Sequence, residues 1–335
     1  ARLGYLGIGI PEEYGGSGGG MVELTILLEE LSRGLMSFGV MVYRSAIHGA
    51  HALLTYGNEE QRRRFLPGII SGELLFCLSL TEPEAGSDAA NVKIRAVPDD
   101  EGFIVNGQKL YNSGAHISNY IALVARTDPT GPRHHGLSIM LVDTTSKGLD
   151  IRRLNTMGER AIGTNEVFYD NVRVPRENLL GEMNKGWEYL MTNLERERLC
   201  IAAWCTGAAR AVVEDAVDYA KQRVQFGKPI GSFQAIQHKI AEMDMQVHIG
   251  RLMIYDLAER IDAGVRCRKE ASMTKTYCAE MYNRVAYDGL QVHGGFGYTD
   301  RSDMQLHMRD ARIMPIGGGS SEIMRTAIAK ELGLR

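Results

Sequence analysis

Over residues 186–222 the apolar spacing predicts a long helix, in which each residue advances ~100°. Leu190, Leu194, Glu197, Ile201 and Trp204 then share one face, and a carboxylate sits in the middle of an apolar stripe. Burial of an unpaired carboxylate is costly and ordinarily raises its pKa. A carboxylate tuned in that way suits a general base. The same stretch, with Glu195-Arg196-Glu197-Arg198 in succession, also fits a charged patch on a solvated helix face. Helical phase alone leaves both readings open.

Other chemistries find less support. The five cysteines, Cys77, Cys200, Cys205, Cys267 and Cys278, form no CxxC pair. That suits reduced thiols in a cytosol or matrix, and no metal site is expected. His134-His135 falls in the Pro/Gly-rich stretch 128–136 and reads as solvent loop. Gly15–Gly20 is a flexible turn, lacking the preceding strand and following GK[ST] of a phosphate loop. A net charge of -3 gives no global attraction to nucleic acid or membrane. No apolar run approaches ~20 residues, so no transmembrane helix is expected. Ala1–Ile10 reads as interior sequence, so the true N-terminus is expected upstream. The expected location is a bacterial cytoplasm or a mitochondrial matrix.

The elements that must position the carboxylate form three blocks, and 335 residues suit two or three domains. Val22–Leu35, Met41–Tyr56 and Glu59–Ile70 carry helical spacing. Short β-prone runs follow at Leu75–Leu80, Val92–Val97, Phe103–Val105, Ile121–Ala125, Leu137–Val142, Leu149–Leu154 and Val167–Val174, separated by Gly, Asp, Asn and Pro. They predict a small antiparallel sheet or barrel. Long helices return at Gly186–Gln222, Phe233–Ala263, Arg268–Val292 and Ser321–Leu332, with Gly227 a plausible stop for the first. Helices of this kind predict a bundle. The fold class is α+β multidomain, with domains at 1–73, 74–182 and 183–335.

Leu80-Thr81-Glu82-Pro83-Glu84-Ala85-Gly86-Ser87-Asp88 resembles the TEPxAGSD signature of the acyl-CoA dehydrogenases. Asn106-Gly107-Gln108-Lys109 before Tyr111-Asn112-Ser113 is similar to that family's NGxKxWIT strand. Arg223–Ile230 resembles its RxxFGxxI segment, and Gln291–Tyr298 its QxxGGxG segment. The resemblance runs in order from about Gly4 to Arg335. It implies an N-terminal α-helical domain without its first helices, a middle antiparallel β-barrel and a C-terminal four-helix bundle.

The resemblance also implies FAD. Leu78, Leu80 and Thr81 match positions along one face of the flavin ring, and Gly86 lies in the same loop. Ser87 matches a position at the flavin phosphate or the CoA thioester. Tyr111 stands where a ring-shielding Trp is usual, Asn112 follows it, and Ser113 matches a Thr near the reactive nitrogen. Arg223, Gln225, Phe226, Phe233 and Gln234 would reach the FAD pyrophosphate and adenosine of a neighbouring subunit. Gln291, Val292, Gly294 and Gly295 would line the adenine half. Shared FAD implies a homotetramer built as a dimer of dimers. Plainer readings exist for single residues: a strand Tyr packs, and a cation at a helix end favours the dipole.

Many relatives carry their catalytic Glu in a YEGT segment, where this chain has Ile316-Gly317-Gly318-Gly319-Ser320-Ser321-Glu322. Gly318 holds the catalytic position without a side chain. Isovaleryl- and long-chain-type relatives instead place a Glu just before an Arg on the preceding long helix. Those positions are Glu197 and Arg198, so resemblance and apolar stripe meet on one residue. The implied reaction is α-proton abstraction by Glu197 with β-hydride transfer to flavin. Gly318 N–H would polarise the thioester carbonyl. Arg198 would hold part of the CoA, with Ser87, Leu194 and Gly319 near the substrate and Ser320 and Glu322 near the flavin. An Arg with a purely structural role is the alternative.

The implied substrate is a branched, long or cyclic acyl-CoA. Electron-transfer flavoprotein is the expected acceptor, and fatty-acid β-oxidation the implied setting. An acyl-CoA oxidase or enoyl-CoA reductase on the same fold is the first alternative. A non-catalytic nucleic-acid-binding paralogue is a remote one, because those relatives carry a basic C-terminal extension and none follows Arg335 here.

Overall fold

The computed structural model describes residues 1–334. Arg335, the end of the motif-bearing stretch, lies outside the described residues. In chain order the helices are α1 (Met21–Gly34), α2 (Met36–Tyr43), α3 (Ala52–Tyr56), α4 (Glu59–Ser71), α5 (Gly186–Gln222), α6 (Gln234–Asp262), α7 (Arg268–His293), α8 (Met304–Ala311) and α9 (Ser321–Glu331). The strands are β1 (Phe76–Ser79), β2 (Arg95–Pro98), β3 (Gly102–Ser113), β4 (Tyr120–Arg126), β5 (Leu137–Asp143), β6 (Leu149–Leu154), β7 (Thr164–Pro175), β8 (Leu179–Leu180), β9 (Val224–Gln225) and β10 (Lys228–Pro229). The chain forms two compact units.

The first unit comprises residues 1–20, 41–156 and 160–194. Its eight-stranded sheet has the order β6-β7-β3-β2-β4-β5-β8, with β1 pairing β4. Most pairs are antiparallel, but β1 and β2 both run parallel to β4, with Phe76 opposite Tyr120 and Arg95 opposite Arg126. β4 and β5 are near-continuous apolar runs, and Ile121–Ala125 and Leu137–Val142 are buried throughout. Their core is shared with Leu53, Phe65 and Leu66 of the neighbouring helices. Helix α4 begins in a capping box: Asn58 accepts from Gln61 N and Gln61 accepts from Asn58 N. It ends at Gly72, whose φ of 78° is the left-handed stop glycine favours. Between α2 and α3 the expected helix continues as a π-helical segment, Arg44–His51. Such segments recur at functional sites.

The second unit comprises residues 21–40, 157–159 and those from 195 onward. Helix α7 packs with α6 and α9, and α5 meets α6 where Thr206 lies by Gly250 and α7 where Val212 lies by Gly289; its small buried residues Ala202, Ala203, Ala208 and Ala209 permit close approach. Gly207 is required there, because a Cβ would stand 2.0 Å from Glu29 O of α1. Glu29 is only 1 % exposed and accepts from Arg210, Arg251 and Tyr255. That fully satisfied carboxylate explains why α1 joins the later helices.

Two features depart from expectation. Gly227 does not stop α5, which ends at Gln222; Phe226 (φ 51°) and Gly227 (φ 76°) instead turn the β9–β10 hairpin. Helix α8 was not anticipated, because only Met304, Asp310 and Ala311 face inward over its short length. Among the described residues no helix is long and apolar enough to cross a membrane.

Candidate functional site

In the first unit, the β1 alternation buries Cys77 and Ser79 and leaves Leu78 and Leu80 half-buried on the opposite face. The loop that follows is fixed by a buried ion pair. Lys109 Nζ donates to Leu80 O at 2.6 Å and to Glu82 Oε1 at 3.0 Å. Glu82 also accepts from the N–H groups of Lys93 (2.7 Å) and Ile94 (3.0 Å). Burial lowers the Lys109 ammonium to about 8, against the pull of Glu82. Leu110 N donates to Thr81 O at 2.8 Å, tying the loop to β3. Gly86 and Ser87 are exposed beyond this anchor.

Tyr111 breaks the β3 register with φ of 59° and is 63 % exposed, so its ring is free to stack. Ser113 is half-buried at the strand end. Asn112 is buried with its amide against β7: its Nδ2 donates to Asn165 O, and Asn165 Nδ2 donates back to Asn112 O. Its side chain therefore fastens two strands, although its Oδ1 has no hydrogen-bond partner.

Two positioning cations escaped sequence reasoning. Lys109 was visible only as a motif letter. Arg44, in the π-helical segment, is 4 % exposed and donates to Phe76 O, Gly114 O and Ser118 Oγ. It fixes the turn after Ser113, and a Cβ on Gly114 would stand 1.9 Å from its Nη1. Neither set of partners is near in sequence, so spacing carries no signal for them.

In the second unit, Glu197 is 9 % exposed and Ile201 4 %. The solvated-patch reading therefore does not hold for Glu197. Gly318 has φ of 64°, and a Cβ on it would lie 3.8 Å from Glu197 Oε1 and 2.2 Å from Ile201 Cδ1. The carboxylate thus stands beside the position a side chain at 318 would take, a position that Ile201 Cδ1 occupies. Gly319 follows with φ of 95°, its carbonyl accepting from Lys275 Nζ at 2.6 Å. Arg198, one residue around the helix from Glu197, donates to Ser272 Oγ at 3.0 Å; its buried Nε has no hydrogen-bond partner. Burial lowers the pKa of Arg198, opposed by Glu197. Ser320 Oγ accepts from Ile323 N and caps α9, with Glu322 exposed in its first turn.

Elsewhere in that unit lies a cleft of ≈ 820 Å³. Seven of the residues singled out from sequence line it: Arg223, Gln225, Phe226, Phe233, Val292, Gly294 and Gly295. Gln234 and Gln291 are exposed nearby but do not line it. Tyr219 and His293, stacked at 4.3 Å, form part of its wall and were missed. Tyr219 stands one helical turn before Arg223, and that spacing was the available signal. Among the described residues Arg223 makes no ion pair, so a cation faces an aromatic-walled cleft. Nothing lies within 4 Å of a Cβ on Gly294 or Gly295, which leaves backbone open to a ligand. Cation, aromatic walls and open glycines together fit the pyrophosphate and adenine of a dinucleotide.

Family models described as the N-terminal, middle and C-terminal domains of acyl-CoA dehydrogenase match residues 1–73, 77–172 and 184–333. A probable acyl-CoA dehydrogenase of Bacillus subtilis, YngJ, is 37% identical over 332 residues, covering 99% of this chain and 87% of the relative. A 3-(aryl)acrylate reductase of Clostridium sporogenes is 37% identical over 334 residues, covering 99% and 88%. The crystal structure of an acyl-CoA dehydrogenase from Geobacillus kaustophilus superposes with a TM-score of 0.94 at 35% identity, covering 99% of this chain and 88% of that one.

Proposed function

The chain belongs to the acyl-CoA dehydrogenase family of FAD-dependent oxidoreductases, and from that premise we propose that Glu197 is its catalytic base. Glu197 takes the α proton of an acyl-CoA thioester, the β hydrogen leaves as hydride, and the Cα=Cβ bond of a 2,3-enoyl-CoA forms. When bound, FAD supplies the hydride acceptor. The observation that carries this reading is the placement of Glu197 Oε1 3.8 Å from the Cβ position of Gly318. A carboxylate on α5 stands beside the position where many relatives carry theirs.

The chain's own groups take the remaining roles. Gly318 N–H polarises the thioester carbonyl, so that negative charge developing on its oxygen meets a fixed donor. Arg198 and Leu194 border the substrate, with Gly319 and Ser87. Leu78, Leu80, Thr81, Gly86, Tyr111, Asn112 and Ser113 belong to the flavin end. Arg223, Gln225, Phe226, Phe233, Gln234, Gln291, Val292, Gly294 and Gly295 hold the pyrophosphate and adenine, and Ser320 and Glu322 complete the set. Phe226 is 92 % exposed, which supports a homotetramer whose hairpins reach a neighbour's cofactor. The domains divide at 1–73, 74–182 and 183–335.

With glycine at 318, the substrate is a branched, long or cyclic acyl-CoA, and electron-transfer flavoprotein is the acceptor. The setting is β-oxidation in a bacterial cytoplasm or mitochondrial matrix. Anaerobic bleaching of the flavoprotein by straight, branched and aromatic acyl-CoAs tests the reading. The branched, long or aromatic thioesters should bleach fastest, and a flavin untouched by the whole panel would refute the function. The 37% identical arylacrylate reductase supports a second reading, reduction of an enoyl-CoA. Faster oxidation of the reduced flavin by aryl enoyl-CoAs than by electron-transfer flavoprotein would favour it.

A further inference from the structure

The turn carrying Gly318 is fastened at both ends by backbone. Gly317 N donates to Ile313 O at 2.9 Å, and Ser321 N to Pro315 O at 2.9 Å. Its middle is two left-handed glycines, the least conformationally restricted residues available. Among the described residues no protein acceptor takes Gly318 N–H or Gly319 N–H. Among the described residues the side chain that hydrogen-bonds to this middle is Lys275, from α7, through its 2.6 Å bond to Gly319 O. Lys275 is 0 % exposed. A buried ammonium is costly, and an apolar side chain would pack a helix against a turn without that cost. Its charge-assisted bond instead fixes the orientation of one peptide unit.

We propose that Lys275 is a positioning residue for the dehydrogenation, clamping the Gly318–Gly319 turn so that Gly318 N–H meets the thioester oxygen beside Glu197. The inference rests on the assignment of Glu197 and Gly318 above. In this proposal Lys275 acts through the turn it is bonded to. It sets where a backbone donor stands, and small errors in such placement weaken transition-state stabilisation.

The test uses the flavin-loaded holoenzyme and Lys275→Met, which keeps the side-chain bulk. The probe is the enoyl-CoA of the fastest-bleaching panel member, ¹³C-labelled at its thioester carbonyl. Infrared difference spectra read how far binding lowers the carbonyl stretch. Wild type and Glu197→Gln should show the full displacement. Lys275→Met should lose most of it, with flavin content kept and kcat and kcat/KM both at least ~10-fold lower. A full displacement in Lys275→Met overturns the proposal. Should that variant lose its flavin, Lys275→Arg decides by the same band, since it keeps the charge but changes the reach; a full displacement there again overturns the proposal. The base assignment fails separately, if Glu197→Gln reduces its flavin at the normal rate. If no acyl-CoA reduces the flavin, both fall.

Discussion

Glu197 Oε1 and the absent Cβ of Gly318 are 3.8 Å apart, joined by nothing in sequence and brought together by the fold of the helical unit. The same point in space is served from α5 rather than from the turn before α9. Ile201, one helical turn after Glu197, fills the volume a side chain at 318 would take. The carboxylate beside position 318 and the side chain that fills it are therefore two residues of one helix.

Glu197→Gln keeps size and hydrogen-bonding capacity while removing basicity. The variant should fold, retain flavin and bind acyl-CoA, but its flavin should be reduced at least ~100-fold more slowly, the usual scale of general-base loss. Stopped-flow bleaching measures this directly. Near-normal reduction would remove Glu197 from the mechanism.

Moving the base back to the turn should fail. Relatives with a Glu at that position suggest that Gly318→Glu could rescue Glu197→Gln, but here the left-handed φ of 64° strains any non-glycine residue by ~1–3 kcal/mol. Ile201 Cδ1 would also have to swing away from 2.2 Å. The double variant should recover little activity, and adding Ile201→Ala should recover more. A double variant as fast as wild type would show that the turn yields freely.

Much of this was legible in the chain. The buried runs Ile121–Ala125 and Leu137–Val142 announce strands because their apolar residues are consecutive, whereas the helical phase of α5 left Glu197 between a buried and a solvated reading, and the resemblance chose between them. Lys109 and Arg44 were not legible, because both donate to backbone carbonyls distant in sequence. The β9–β10 hairpin was read as a helix stop because a glycine serves either turn, and only the pairing of Gln225 with Lys228 distinguishes them. Tyr219 and His293 acquire a role only when α5 and α7 place them in one wall.

Arg223→Glu should lose flavin while keeping its fold. Arg223 is exposed in the cleft and makes no ion pair among the described residues, so its replacement breaks no ion pair there. Charge-assisted hydrogen bonds to a pyrophosphate would be replaced by repulsion. Dialysis followed by the visible flavin spectrum, alongside circular dichroism, checks both halves. A variant that stays fully yellow would exclude Arg223 from the cofactor site.

The Lys109–Glu82 pair should give stability a pH dependence of definite sign. Burial lowers the Lys109 ammonium to about 8, below its ordinary value of 10.5. Between those values the unfolded chain binds more protons at this residue than the folded one, so stability rises with pH through the window. Below about 8 both states are protonated and the contribution is flat. Lys109→Met lacks the titration. Its stability relative to wild type should therefore fall between pH 8 and pH 10.5, by up to about 3 kcal/mol at the linkage limit. Chemical denaturation of both proteins at pH 7, 8.5 and 10 follows the difference, which cancels titrations common to the two chains. A difference that stays constant, or moves in favour of Lys109→Met, would show that Lys109 keeps its ordinary affinity for the proton when buried against Glu82.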